Sequence, residues 1–438
     1  MIPDSLFKIA DKYSGKADII NEIPCSVISL PGSNSASIAV SFGSGVMYEP
    51  RDLWGISHFI EHILFRGSKL FPSLYEISRA IEGIGGRISA YSTRNFSSFW
   101  VKTPPGFEDK ALNILCDLFS NPLLKPEDIL SERDIIVQER FRERSNPSFF
   151  NSLLIEEILL SPLPISRMPV GSEKVINALN PQILSEHIKK YYNKNNMFIG
   201  AAGNIRQDFK DDLKNFSSRF DSGNPPKEAD FVLDNNFDGK KIFYLKSNHK
   251  TQVFLSAGWR IKIDNPDEIF TWRVLGSILG AGYTSLLNKK LREDENVTYV
   301  CMTGLNFYKN TGIFKTNLSF ADRNFKRVLS LIQEVIDRIS SGDLDDKIFV
   351  EGKIKHASSL LFRMEDNLET AKILSQYLLN ENKFFSLRDY LANIHNVTKE
   401  EIINAAGILS EENRKILFQT GSDLAVSNFK GTDVVNIT

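Results

Sequence analysis

The stretch Trp54-Gly-Ile-Ser-His-Phe-Ile-Glu-His-Ile-Leu-Phe-Arg-Gly67 decides how the chain is read. It sets His58, Glu61 and His62 in the order H-x-x-E-H, inside an apolar run that predicts a helix. His58 and His62 are four residues apart, so both imidazoles leave one helix face a turn apart and can grip a single cation. Glu61, three residues after His58, lies on the same side, where a carboxylate can take a proton from a zinc-activated water. The order is that of the H-E-x-x-H zinc site written backwards. The plainer reading is two buried histidines and a solvated glutamate. With six His in the whole chain, two at ligand spacing here favour the metal.

A catalytic zinc needs a third protein ligand and an open fourth position. The segment Pro126-Glu-Asp-Ile-Leu-Ser-Glu-Arg-Asp-Ile-Ile-Val-Gln-Glu-Arg140 offers candidates. Ile129, Leu130, Ile135, Ile136 and Val137 fit a helix, and Pro126 with Glu127 and Asp128 suits its first turn. Glu132 and Glu139 are seven apart and share a face, two turns apart. By themselves, paired glutamates on a charged helix usually face solvent.

The two motifs in this order, H-x-x-E-H then E-R-D-x-x-x-x-E, resemble the pitrilysin, insulysin and mitochondrial-processing-peptidase family of inverzincins, in its short-chain bacterial-type form. The resemblance implies that Glu139 is the third zinc ligand, that Glu132 supports the ligands from behind, and that Glu61 is the general base. It extends along the chain. Gly85-Gly86-Arg-Ile-Ser-Ala-Tyr-Ser-Thr93 is similar to the strand that pairs with substrate, which implies substrate contacts at Ser89, Ala90 and Tyr91. Pro169-Val-Gly-Ser-Glu173, Tyr191 to Met197 and Ala202-Gly-Asn204 resemble the end of the first domain. Leu291-Arg-Glu-Asp-Glu-Asn-Val-Thr-Tyr299 resembles the segment carrying an Arg/Tyr pair in the second, so Arg292 would grip substrate and Tyr299 would donate to the oxyanion. Three positions depart from the family pattern: Ser89 where Asn is common before Ala90, Asn95 in place of an acidic residue, and Leu286 where the second domain often has Arg. They leave the zinc set intact and bear on specificity.

At 438 residues the chain suits two domains of about 200 residues each. Hydrophobic content of 42%, with 31 Phe, gives ample core, and a net charge of -1 argues against a nucleic-acid or membrane-surface protein. Cys25, Cys116 and Cys301 are far apart and form no C-x-x-C pair, as expected of reduced core thiols. The start has neither a basic and apolar signal pattern nor Arg enrichment, and no apolar run reaches transmembrane length, so a cytoplasmic protein is expected.

The same order of elements occurs twice. The first half reads as strands at 25–30 and 36–42, the metal helix, a helix at 75–84, strands at 87–91 and 97–101, helices at 108–119 and 126–143, and a last strand at 197–202. After a Gly/Pro-rich linker candidate at 221–228 come strands at 242–245 and 252–259 and a helix at 267–279. Strands at 297–303 and 312–319 follow, then a helix with a clear apolar stripe, then a helix at 345–362 in the place of the Glu132/Glu139 helix. The expected fold is therefore α+β. It comprises two tandem homologous domains, 1–222 and 223–438, each a mostly antiparallel sheet packed with helices. At the place of His58 to His62 the second unit reads Val274-Leu-Gly-Ser-Ile278, which predicts one zinc per chain, in the first unit. His187, His249, His356 and His395 read as surface or structural residues.

By resemblance the chain is half of a clamshell chamber, in which zinc and the Arg/Tyr pair face each other from different units. A homodimer with two complete sites is the simplest assembly, with a heterodimer of related subunits as the alternative. The function expected is a zinc metalloendopeptidase that hydrolyses short or unfolded peptides added as a strand near Ser89 to Tyr91. The alternatives are a targeting-peptide processing subunit and an inactive peptide-binding scaffold.

Overall fold

The computed structural model describes residues 2–13, 15–224, 241–427 and 434–436. Of the linker predicted at 221–228, residues 225–228 lie outside them. The first half builds one six-stranded sheet from β1 (Lys16–Ile20), β2 (Ile23–Ser29), β3 (Ala36–Phe42), β4 (Arg87–Ser92), β5 (Ser97–Thr103) and β6 (Met197–Gly203). The second half builds another from β7 (Ile242–Lys246), β8 (Gln252–Lys262), β9 (Thr298–Tyr308), β10 (Thr311–Ala321), β11 (Lys415–Thr420) and β12 (Val434–Asn436). Their orders are β1-β2-β6-β3-β5-β4 and β12-β7-β11-β8-β10-β9. Five consecutive places correspond: β2 to β7, β6 to β11, β3 to β8, β5 to β10 and β4 to β9. Across these five places a single pair in each sheet is parallel, β2 with β6 and β7 with β11, and the others are antiparallel. The sheets differ at the outer edge, where β1 pairs antiparallel to β2 but β12 parallel to β7. The predicted α+β duplication is what the chain forms.

The two halves exchange a helix. Each β-hairpin is followed by three long helices, Glu108–Ser120, Pro126–Ser145 and Pro147–Leu160 in the first half, and Phe325–Ser340, Asp346–Met364 and Asn367–Glu381 in the second. The third of each set packs on the sheet of the other half. Strand β3 shows why this works. Ile38, Val40 and Phe42 point into the first half's core, while Ala39 on the opposite face belongs to the second half's core. Ser41 meets Ser375 of the exchanged helix, Oγ to Oγ 2.9 Å, and Asn367 donates to the Ser35 carbonyl at 3.0 Å. In return, Arg260 of β8 donates to the Leu159 carbonyl through Nε at 2.8 Å and Nη2 at 2.6 Å. Between the halves Glu156 is buried and accepts from Arg94 on one side and Lys315 on the other, so no charge there is left unpaired. The three cysteines are buried and free. Among the described residues no helix is long and apolar enough to cross a membrane.

Candidate metal centre

The helix Ile56–Leu64 turns Ile56, Phe59, Ile60, Ile63 and Leu64 into the core, each at most 1% exposed. That leaves His58, Glu61 and His62 on the side facing the helix Pro126–Ser145. The second helix starts as the sequence implies, with Pro at its first turn and Glu127 and Asp128 beside it. It buries Ile129, Glu132 and Ile136, whereas Leu130 and Ile135 are exposed. The apolar residues that fit a helix here are thus split between two sides.

Glu139 comes to rest against both histidines. Its Oε2 lies 3.7 Å from His58 Nε2 and 3.5 Å from His62 Nε2. One ligand atom from each of the three residues falls within 4.8 Å of the others. Tetrahedral zinc with bonds of about 2.0–2.1 Å separates its ligand atoms by about 3.3 Å, so Glu139 Oε2 stands within a few tenths of an ångström of that separation from each imidazole. Behind it, His62 Nδ1 sits 3.0 Å from Glu132 Oε2. With the ring proton donated there, the Nε2 lone pair is directed at the shared point. Arg66 donates to the other Glu132 oxygen and completes its compensation.

The electrostatics agree with this division of roles. Burial alone would raise the Glu132 carboxyl, but His62 and Arg66 outweigh it and hold the group below the ordinary range. Glu139 is likewise held down, chiefly by His62. Burial lowers His58 to about 4, so it is neutral and able to ligate at neutral pH. For His62 burial acts downward too, but Glu132 and Glu139 raise the ring to about 9, so a cation there displaces a proton. Glu61 goes the other way: burial pushes its carboxyl up, and its Oε2 is buried with no hydrogen-bond partner. A buried, unpaired carboxyl oxygen beside a ligand set is what a proton-accepting group needs when its partner is a bound water or substrate.

The other predicted residues are distributed as follows. Ser89 and Ala90 lie on β4, the free edge of the first sheet, and line a cavity of about 410 Å³ together with Glu61, His62, Phe65, Leu74, Ile77 and Glu132. Tyr91 turns away and takes a hydrogen bond from Gln376 of the exchanged helix. Asn95 also binds the other half, donating to Asn380 at 2.8 Å, and Leu286 packs against the second core. The Arg292 guanidinium lies over two rings, 4.5 Å from the centroid of Tyr283 and 4.9 Å from that of Tyr299. Among the described residues, no hydrogen bond or ion pair links Arg292 or Tyr299 to the cluster of His58, His62 and Glu139. His187, His249, His356 and His395 stand apart from the cluster as well. The sequence pattern did not single out Arg66, although its place four residues after His62 on the same face was a usable signal. Nor did it single out Tyr283, or Glu49, whose carboxylate accepts from the Gly55 and Ser57 N–H groups at the start of the histidine helix; periodicity carries no signal for either.

Two family models match the chain, the insulinase model of peptidase family M16 over residues 26–162 and the peptidase M16 inactive domain over residues 178–355. A Rickettsia felis protein named as an uncharacterized zinc protease is 24% identical over 380 residues, covering 86% of this chain and 90% of that one. The Bacillus subtilis zinc protease YmxG, also named uncharacterized, is 23% identical over 335 residues, covering 76% and 80%. Among solved structures, a protease from Helicobacter pylori superposes with a TM-score of 0.83 at 17% identity, covering 93% of this chain and 99% of the other. A Pseudomonas fluorescens structure described as a peptidase M16 inactive domain gives 0.81 at 16%, covering 93% and 98%. With both halves matched and zinc proteases as its relatives, the chain belongs to the M16 family of zinc proteases.

Proposed function

We propose that this chain is a zinc-dependent endopeptidase that hydrolyses short or unfolded peptides, with one zinc per chain held by His58, His62 and Glu139. The observation that carries the reading is the convergence of these three side chains beside Glu61 Oε2, which is buried with no hydrogen-bond partner. Zinc, when bound, supplies a Lewis acid that makes water acidic near neutral pH and polarises a peptide carbonyl. Glu61 takes the proton from the attacking water and returns it to the leaving amine, a role suited to its raised pKa. Glu132 fixes the ring of His62. The free edge of β4 receives the substrate as an added strand, which selects extended backbone over folded protein. The cavity beyond Ser89 and Ala90 takes a side chain of that strand.

Arg292 and Tyr299 belong to the second unit and act on the substrate carbonyl from across a chamber. We take residues 1–222 and 223–438 as the two units and a homodimer as the assembly that closes the chamber. Zinc content measured beside cleavage of a mixed quenched-peptide pool, with and without chelator, tests this. About one zinc per chain with chelator-sensitive cleavage is expected, and Glu61→Gln should keep the zinc and lose turnover by about 10²–10⁴-fold. Zinc without cleavage of any pool member would favour a dedicated processing subunit, and neither would favour an inactive scaffold.

A further inference from the structure

The two ligand-bearing helices are joined at a second place, away from the ligands. The segment Met168-Pro-Val-Gly-Ser172 runs past the start of the histidine helix. Trp54 Nε1 donates to the Met168 carbonyl at 2.7 Å, and the Ser172 N–H donates to the Trp54 carbonyl at 3.3 Å. Between these bonds Gly55 and Gly171 meet backbone to backbone. Both are left-handed, at φ 101° and 77°. A Cβ on Gly55 would lie 2.4 Å from Gly171 Cα, and one on Gly171 would lie 2.5 Å from Gly55 Cα, so neither position has room for a side chain. Gly55 is also held from behind, because the buried Glu49 carboxylate accepts from the Gly55 N–H at 2.7 Å and the Ser57 N–H at 2.9 Å.

The far side of Gly171 reaches the other helix. Its carbonyl accepts from Arg140 Nη1 at 2.9 Å, and Arg140 is the residue directly after Glu139. An unbroken chain of contacts therefore runs from Glu49 through Gly55 and Gly171 to Arg140. It spans the same two helices that His58, His62 and Glu139 bridge at the site. The Gly55–Gly171 contact is closed backbone to backbone and cannot absorb displacement, and because Gly171 and Arg140 line a cavity of about 420 Å³ beyond it, their hydrogen bond is what carries displacement on to the second helix.

We propose that Gly171 is a positioning residue for the metal centre, its backbone being the shim between Gly55 and Arg140 that holds Glu139 within zinc distance of the histidines. The proposal rests on the metal reading given above and adds what sets the third ligand's place. Gly171→Ala forces the two backbones apart, and Arg140→Met removes one hydrogen bond while keeping the apolar stem. Both should lower zinc affinity by about 10–100-fold in chelator competition, the range seen when groups that orient metal ligands are altered. Cobalt substituted for zinc should lose visible absorption intensity as Glu139 gives way to solvent. Thermal melting of the metal-free proteins is measured alongside, because a purely structural role would lower the melting temperature and leave affinity and cobalt spectrum unchanged. Should Gly171→Ala fail to fold, Arg140→Met decides. Wild-type affinity and spectrum in folded Arg140→Met overturn the proposal. Absence of zinc from the wild type, or zinc retained by His58→Ala, overturns the metal reading instead.

Discussion

The two halves place the same contact under opposite chemistry. In the first, the pairing of the early helix with the second long helix is His62 against Glu132, the seventh residue of Pro126–Ser145. In the second it is Ile278 against Gly352, the seventh residue of Asp346–Met364, where a Cβ on the glycine would come within 2.4 Å of the isoleucine side chain. The fourteenth residues are Glu139 and Ser359. Arg66, which compensates Glu132, has Gly282 at the corresponding distance past Ile278. One frame thus closes either by apolar packing or around a compensated cluster of charge. The cluster of His58, His62, Glu132 and Glu139 is an elaboration of the frame and not its support. Apolar closure needs no partners, whereas the polar version requires every member to be present.

If that is right, the ligands can be removed without losing the fold. Replacing His62 and Glu132 by the residues of the second half, His62→Ile with Glu132→Gly, should take bound zinc from about one per chain to none and leave the far-UV circular dichroism in place. Elemental analysis of the purified variant checks this, and zinc still present at one per chain would put the metal elsewhere. The reverse exchange, Ile278→His with Gly352→Glu, should gain no zinc, because no third ligand and no Arg66 counterpart exist there. It buries a carboxylate without compensation and should cost about 3 kcal/mol or more in urea unfolding. A stable variant would show that the second half tolerates the polar closure as well. A smaller step is Glu132→Gln, which keeps shape but removes the charge that Arg66 and His62 share. Zinc affinity should fall by about 10–100-fold while the metal-free protein keeps its fold, as read by chelator competition.

What the sequence disclosed follows the same division between local and distant causes. The candidate cluster was legible in part: His58, Glu61 and His62 stand at helical spacing within one turn of chain, as metal chemistry demands, whereas Glu139 was singled out only by the resemblance and comes to lie beside both histidines. The repeat was legible because strand and helix periodicities recur in order. The exchange of the third helices was not. Ser37, Ala39 and Ser41 alternate with Ile38, Val40 and Phe42 as a solvated strand face would, yet every residue of β3 is buried. Small polar residues look alike whether they face water or a helix backbone, and the partner, Asn367–Glu381, is more than three hundred residues away. Asn95 is similar: as a departure from a family pattern it pointed to substrate, and in the structure it bonds Asn380 of the exchanged helix. Glu49 binds backbone N–H groups and Gly171 meets its neighbours through its own backbone, and neither leaves a periodic trace.

The exchanged helices also allow the finest comparison between the halves. At Gly200 of β6 an added Cβ would lie 2.1 Å from the Ala371 carbonyl oxygen and 2.7 Å from the Ser375 nitrogen, both backbone atoms of Asn367–Glu381. At Gly258 of β8 it would meet Leu159 Cδ1 at 2.6 Å, the tip of a side chain on Pro147–Leu160. A backbone inside a helix can yield only by moving the helix, whereas a leucine tip can turn to another rotamer. Gly200→Ala should therefore destabilise by about 2–3 kcal/mol and Gly258→Ala by less than about 1 kcal/mol, read from urea midpoints at unchanged slope. Both sites lie in sheet centres covered by a helix of the opposite half, so their difference isolates how closely each helix approaches. Equal costs would mean that the two helices pack at one distance, and that the small residues of the first sheet serve some purpose other than admitting a backbone.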